Sequence, residues 1–232
     1  MTNNTYQIQA VIFDMDGLML DTERIARIAW RRAAADWGRT LSDELFAAIT
    51  GLNATDANAV LQEAFGPTFP VTAARRRRQR YYEAYIAEHG IELKPGLLPL
   101  LEEIEARQLP HAVASSTPRA GVLYKLTLAG LVERFEILVG GDEVAQGKPA
   151  PDIFLEAAAR LDVGPRHCLV LEDSEAGIRA AHAAGMLPVM VPDVKEPAPE
   201  IAALAYAVLP ALEAAIPLLR RLARLPARLS HR

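Results

Sequence analysis

The chain has 232 residues, 51% of them apolar and 23% charged, with a formal net charge of −4. That size and balance argue against disorder and fit one large domain or a core domain with a smaller insert. The acidic balance argues against bulk nucleic-acid binding, and the single cysteine, Cys168, excludes an intrachain disulfide.

The N-terminal stretch MTNNTYQIQA lacks the basic-then-apolar pattern of a signal peptide. No stretch approaches the roughly 18 apolar residues of a membrane span. The expectation is a soluble cytoplasmic protein, a monomer or weak homodimer, with no nucleic-acid or membrane partner. IQAVIF (8–13) reads as a buried strand. From about Thr22 to Leu93 the pattern turns helical, beginning with TERIARIAWRRAAADWG, whose Ile25, Ile28, Ala29 and Trp37 are spaced for one face. TDANAVLQEAFG and TAARRRRQRYYEAYIAEHG continue the helical theme, and KPG (94–96) marks the re-entry. Apolar runs then alternate with helical patterns. HAVAS (111–115), ILVG (137–140), CLVLE (168–172), LPVMV (187–191) and a weaker YAVL (206–209) read as strands. LLPLLEEIEAR (97–107), RAGVLYKLTLAG (119–130), PDIFLEAAARL (151–161) and EAGIRAAHAAG (175–185) read as helices. The expected fold is α/β: a Rossmann-like parallel sheet with helices on both faces and an inserted all-helical domain. The expected core spans residues 1–20 and 94–232, and the insert spans 21–93. The tail LLRRLARLPARLSHR reads as a last packing helix with a basic end.

Open parallel sheets bind ligands beyond the carboxyl ends of their strands. Asp14 lies at such an end, and Asp16, two residues on, can share its face. Ser115 closes the second strand; Glu172 and Asp173 close the fourth. GKPAPD adds Lys148, which Pro149 keeps out of a helix. Four acids cannot gather bare, since at ~4 Å and an effective dielectric near 20 each like pair costs about 4 kcal/mol. A divalent cation resolves the conflict, and oxygen-only donors suit Mg²⁺. Carboxylates near Mg²⁺, a lysine and a serine hydroxyl are equipment for phosphoryl transfer.

DMDGLMLDTE, VASST, GKPAPDIF and LEDSEAGIRAAHAAGM resemble, in order, the four motifs of the haloacid dehalogenase superfamily. The likeness is strongest to its phosphatase and β-phosphoglucomutase branch, which carries a helical cap after the first motif. The resemblance covers about residues 8 to 195. It implies that Asp14 is a nucleophile forming an aspartyl-phosphate and that Asp16 is the general acid/base, with its backbone carbonyl on Mg²⁺. Ser115 and the amide of Ser116 would bind the phosphoryl group, and Lys148 would neutralise Asp14 and the phosphate. Asp14, Asp16, Glu172 and Asp173 would form the metal set, Asp173 most directly. Asp16 also argues against the dehalogenase branch, which lacks this acid/base.

The mutase branch has a histidine shortly after its first motif and basic residues around a KGxxR stretch. Here Ala26, Thr50 and Ala54 occupy those positions. The expected activity is therefore Mg²⁺-dependent hydrolysis of a small phosphorylated metabolite, such as a sugar phosphate. A phosphosugar mutase, or a phospho-ligand-binding protein with little turnover, is the alternative. Residues near TGLN (50–53) are candidates for selectivity. Three features read as structural: GGDEV (140–144) as a turn after a strand, RRRR (75–78) as a solvated helix face with one arginine a candidate to face substrate, and His182 as a packed helical side chain. Asp21 and Thr22 are expected to shape the passage into the insert, and Ser174 to cap a helix.

Overall fold

The computed structural model describes residues 7–52 and 54–223. The chain divides into two compact units. The core unit runs to Leu20 and resumes over Leu93–Asp193 and from Pro197; the helical unit is Asp21–Glu92 with Val194–Glu196.

The core unit is a six-stranded, all-parallel sheet. Its strands are β1 (Ala10–Phe13), β2 (His111–Ser115), β3 (Ile137–Gly140), β4 (Cys168–Glu172), β5 (Leu187–Met190) and β6 (Ala207–Val208). The order β3-β2-β1-β4-β5-β6 puts β1 at the centre and reverses direction beside it. In such sheets the crevice at that reversal is where ligands bind. The strand register sets Phe13 opposite both Val113 and Leu171, so Asp14 leaves the sheet level with Ala114 on one side and Glu172 on the other, one residue short of Ser115.

Strands buried on both faces need continuous apolar sequence, and β1 is fully buried along its length. Ala10 and Ile12 pack under α7 (Asp152–Arg160) and α8 (Glu175–Ala183) with Phe154, Ala157 and Ala181. Small alanines let these helices approach the sheet closely. Phe13 meets Phe135 edge-on, with ring centroids 5.9 Å apart. Around the sheet also lie α5 (Leu97–Ala106), α6 (Arg119–Leu128), α9 (Pro199–Ala202) and α10 (Ala215–Leu222). α10 takes up the start of the predicted tail helix; residues 224–232 lie outside the described residues.

The helical unit contains α1 (Thr22–Ala35), α2 (Asp43–Ile49), α3 (Ala54–Phe65) and α4 (Val71–His89), with α1 packed along α4. Ser42 caps α2 by accepting from the Leu45 amide at 3.1 Å. The buried face of α1 is Ile25, Ala26, Ala29, Trp30, Ala33 and Ala34. This corrects the expected stripe. Ile28 is only half-buried, and Trp37 lies past the helix end, edge-on to Phe69. Positions 25, 29 and 33 continue one face, and Trp30 extends it, whereas the chain turns before Trp37. Asp21 stands at the N-cap of α1, accepts from Arg24 Nε at 2.7 Å, and its amide donates to Glu92 O.

Among the described residues no helix is long and apolar enough to cross a membrane. His182 is exposed rather than packed, because it falls on the outer face of α8 while Ala180 and Ala181 face inward. Cys168 is buried, and burial pushes its thiol up to about 11, so it behaves as a small apolar side chain.

Candidate active site

Each predicted site residue emerges from the carboxyl side of the sheet. Asp14 follows β1 directly, and its amide still bonds the Leu171 carbonyl at 3.0 Å. Gly17 then turns the chain with φ +85°, and its amide donates to Leu20 O at 3.0 Å. A side chain at Gly17 would be strained and would run into the Asp173 carboxylate.

Lys148 is the hub. Its Nζ donates to Asp14 Oδ1 at 2.5 Å, to Glu172 Oε1 at 2.6 Å and to the Ala114 carbonyl at 3.2 Å. These are the three bonds an ammonium can donate. The Phe154 ring lies 4.8 Å from the same nitrogen. The lysine side chain is only 5% exposed. Burial works against its charge, but Asp14 and Glu172 outweigh it and hold its pKa above the ordinary lysine range. Asp14 is pushed up from 3.8 to about 7. Burial is the largest cause; Lys148 pulls the pKa back down, while Glu172 and Asp16 push it up again.

Glu172 is fully buried, and besides Lys148 it accepts from the Ser174 amide at 2.6 Å. Ser174 caps α8, its hydroxyl accepting from the Gly177 amide at 3.0 Å. Gly177 is required there, because a Cβ would overlap the Glu172 carboxylate.

Asp14, Glu172 and Asp173 each present a carboxylate oxygen, and these oxygens all lie within 4.8 Å of one another. Asp193 Oδ2, 3.5 Å from where a Cβ on Gly17 would stand, is buried without a hydrogen-bond partner; its other oxygen takes Lys94 Nζ at 2.5 Å. Crowded oxygen donors of one sign, with one left unsatisfied, fit a hard divalent cation. The Asp16 carboxylate is not part of that cluster. It turns toward Thr117 Oγ1 at 2.8 Å, Lys125 Nζ at 2.6 Å and Ser115 Oγ at 3.4 Å.

Ser115 is buried at the end of β2, and its Oγ accepts from the Thr117 amide at 3.1 Å. Ser116 follows with its side chain exposed. The GGDE turn pins this loop. Gly141 N donates to Thr117 O at 3.0 Å, and Asp142 accepts from the Arg119 amide at 2.7 Å. A Cβ at either glycine would strike the backbone of Ser116 or Arg119. The glycines of GGDEV therefore serve close backbone approach.

Sequence reasoning missed Thr117, Lys125, Lys94 and Asp193. Thr117 sits two residues past Ser115, so loop proximity could have flagged it. Lys125 sits mid-helix among LYKLTL with no motif to mark it.

Within the helical unit, a cavity of about 280 Å³ is lined by Trp30, Phe46, Thr50, Leu52, Arg75 and Arg78 among others. Thr50, Gly51 and Leu52 belong to the predicted selectivity stretch; Asn53 lies outside the described residues. Two of the four consecutive arginines, Arg75 and Arg78, thus line a cavity, so the run is not wholly the solvated face that was expected. Arg75 bonds two neutral oxygens, Asn58 Oδ1 and Ala54 O. Burial and the neighbouring Arg78 both lower its pKa.

The chain matches the family described as haloacid dehalogenase-like hydrolase over residues 8–185. A phosphorylated carbohydrates phosphatase of Thermotoga maritima is 33% identical, the match covering 77% of this chain and 82% of that protein. β-Phosphoglucomutase of Bacillus subtilis is also 33% identical, covering 79% and 83%. A solved HAD family hydrolase from Deinococcus radiodurans R1, with bound phosphate and sodium, superposes with a TM-score of 0.79 at 28% identity, covering 93% of this chain and 97% of that one. With its four motifs gathered at one sheet edge and a family match over most of its length, the chain belongs to the haloacid dehalogenase-like hydrolases.

Proposed function

We propose that the protein is a Mg²⁺-dependent phosphatase that hydrolyses a small phosphorylated metabolite through an aspartyl-phosphate on Asp14. The observation that carries this reading is the buried Asp14–Lys148–Glu172 network beside Asp173. A lysine and two carboxylates buried together carry a desolvation cost, and charges buried in this way concentrate at functional sites.

Asp14, Glu172, Asp173 and the Asp16 backbone carbonyl are the groups assigned to the metal. When bound, Mg²⁺ supplies positive charge that keeps Asp14 ionised and screens it from an anionic phosphoryl group. Asp14 attacks phosphorus, forming one P–O bond as the bond to the leaving alcohol breaks. Asp16 gives its proton to the departing alkoxide and later takes one from the water that hydrolyses the acyl phosphate. Ser115 Oγ and the Ser116 amide hold the phosphoryl oxygens, and Lys148 balances their charge. Selectivity is assigned to the helical unit, where Arg75 and Arg78 suit an oxygen-rich or anionic leaving group.

The mutase reading draws support from the Bacillus relative. Against it stand buried Ala26 and the neutral Thr50 and Ala54. The deciding experiment measures phosphate release from a panel of phosphomonoesters, including sugar phosphates, with Mg²⁺, with chelator, and with Asp14→Asn. Release that needs both Mg²⁺ and Asp14 supports the phosphatase. Isomerisation of a hexose 1-phosphate without net release would replace it with the mutase.

A further inference from the structure

Asp16 is gripped at both oxygens by different elements. Oδ2 takes Thr117 Oγ1 at 2.8 Å and Ser115 Oγ at 3.4 Å, both from the end of β2 and the loop after it. Oδ1 takes Lys125 Nζ at 2.6 Å, from the body of α6. On that helix Val122 and Leu126 are buried against the core, while Lys125 reaches back toward the sheet edge.

An ordinary surface ion pair is an insufficient account of Lys125. Such pairs leave both side chains largely in water and contribute ~0–1 kcal/mol. Here Lys125 is 14% exposed and Asp16 24%. Fixing a lysine's flexible stem costs up to about 2 kcal/mol of rotamer freedom. The fixed stem therefore has something to hold. A carboxylate bonded through each oxygen to a separate rigid element has neither side-chain torsion free to drift.

We propose that Lys125, with Thr117, is a positioning residue that sets the Asp16 carboxylate for proton transfer to the leaving alcohol. This rests on the reading of Asp16 as general acid given above. Lys125 donates to Asp16 and is not itself assigned to substrate. Its value lies in geometry, since a misplacement of about 1 Å in a reacting group can cost on the order of 10²-fold in rate.

Leaving-group dependence tests this without a pH titration. p-Nitrophenolate departs with little need of a proton, whereas an alkoxide from a sugar or glycerol phosphate needs one. In the full-length, Mg²⁺-saturated protein, Lys125→Met should lower kcat/KM for the alkyl phosphate at least about tenfold more than for p-nitrophenyl phosphate. Lys125→Arg should restore part of the loss. With Asp16→Ala already present, Lys125→Met should change either substrate by less than about twofold, the mark of two residues acting as one unit. Should Lys125→Met fail to fold, Thr117→Val must show the same selective loss. Equal losses for both substrates, or an undiminished effect in the Asp16→Ala background, would overturn the proposal and leave Lys125 a structural or phosphate-contacting group. The Asp16→Ala protein judges the underlying reading separately: intact alkyl phosphate turnover there would remove the general-acid role, and the positioning role with it.

Discussion

Lys148 in the core unit bridges two carboxylates with 5% of its side chain exposed. In the helical unit, Arg27 and Arg31 share Asp43, with 47% of the Arg31 side chain and 61% of that of Asp43 exposed. The first arrangement desolvates three charges and survives only because each has a partner and the ammonium donates all three of its bonds. The second costs little and contributes little. The contrast separates chemistry from solubility. Charges buried against the desolvation penalty concentrate at functional sites, while charges that remain wet contribute little. The helical unit's exception is Arg75, which bonds neutral oxygens inside a cavity beside a second arginine.

Asp14→Asn should break the contrast most. Turnover should fall by at least about 10³-fold in the phosphate-release assay. The same variant sharpens the electrostatic argument. A folded pKa raised from 3.8 to about 7 means the folded protein holds a proton that the unfolded chain has released. Stability contributed by protonated Asp14 is therefore present below about pH 4 and is lost as pH rises toward 7. In chelator, the wild type should lose stability over that window relative to Asp14→Asn, measured by urea unfolding at stepped pH.

Lys148→Met should destabilise by about 3 kcal/mol, because two buried carboxylates lose their shared cation. Adding Asp14→Asn to that variant should recover part of the loss. Equal unfolding midpoints for the single and double variants would show that the carboxylates do not share the lysine.

Gly177→Ala should cost about 1–3 kcal/mol, since the new methyl overlaps the Glu172 carboxylate. Gly147→Ala, with nothing within 4 Å of the added carbon, should stay within about 0.5 kcal/mol. Matched thermal melts of the two variants check the difference.

Effects in the helical unit should be smaller. Arg75→Met should lower kcat/KM for the best substrate by about tenfold, through the loss of charged hydrogen bonding, while leaving the Mg²⁺ requirement unchanged. A shifted metal requirement would tie Arg75 to the chemical step instead. Arg31→Ala should change stability by less than about 0.5 kcal/mol and leave kinetics untouched.

The strands and most of the site were legible because both obey short-range rules. Val11 to Phe13 had to be buried strand, and the acids after it had to share a cation or repel. GKPAPD and LEDS ended loops and strands at recognisable residues. The arginine run was legible as helix but not as cavity lining, because which of four consecutive residues face inward depends on how α1 and α4 pack. Trp37 misled because its spacing was right while the helix stopped at Ala35. Lys125 was invisible: one lysine among ordinary helical residues gives no local sign that it reaches Asp16, 109 residues earlier.

Sequence by itself determined the alternation of strand and helix, and it pointed to the helical insert and to the candidate set Asp14, Asp16, Ser115, Lys148, Glu172 and Asp173. Periodicity, turn chemistry and carboxylate repulsion act within a few residues and can be read along a line. Only the tertiary structure decided that Lys148 binds Asp14 and Glu172 at once, that Asp16 turns from the acid cluster toward Thr117 and Lys125, and that Gly17 and Gly177 make room for carboxylates. Those outcomes depend on which strand ends the sheet order makes neighbours and on desolvation, which exists only once the chain has packed.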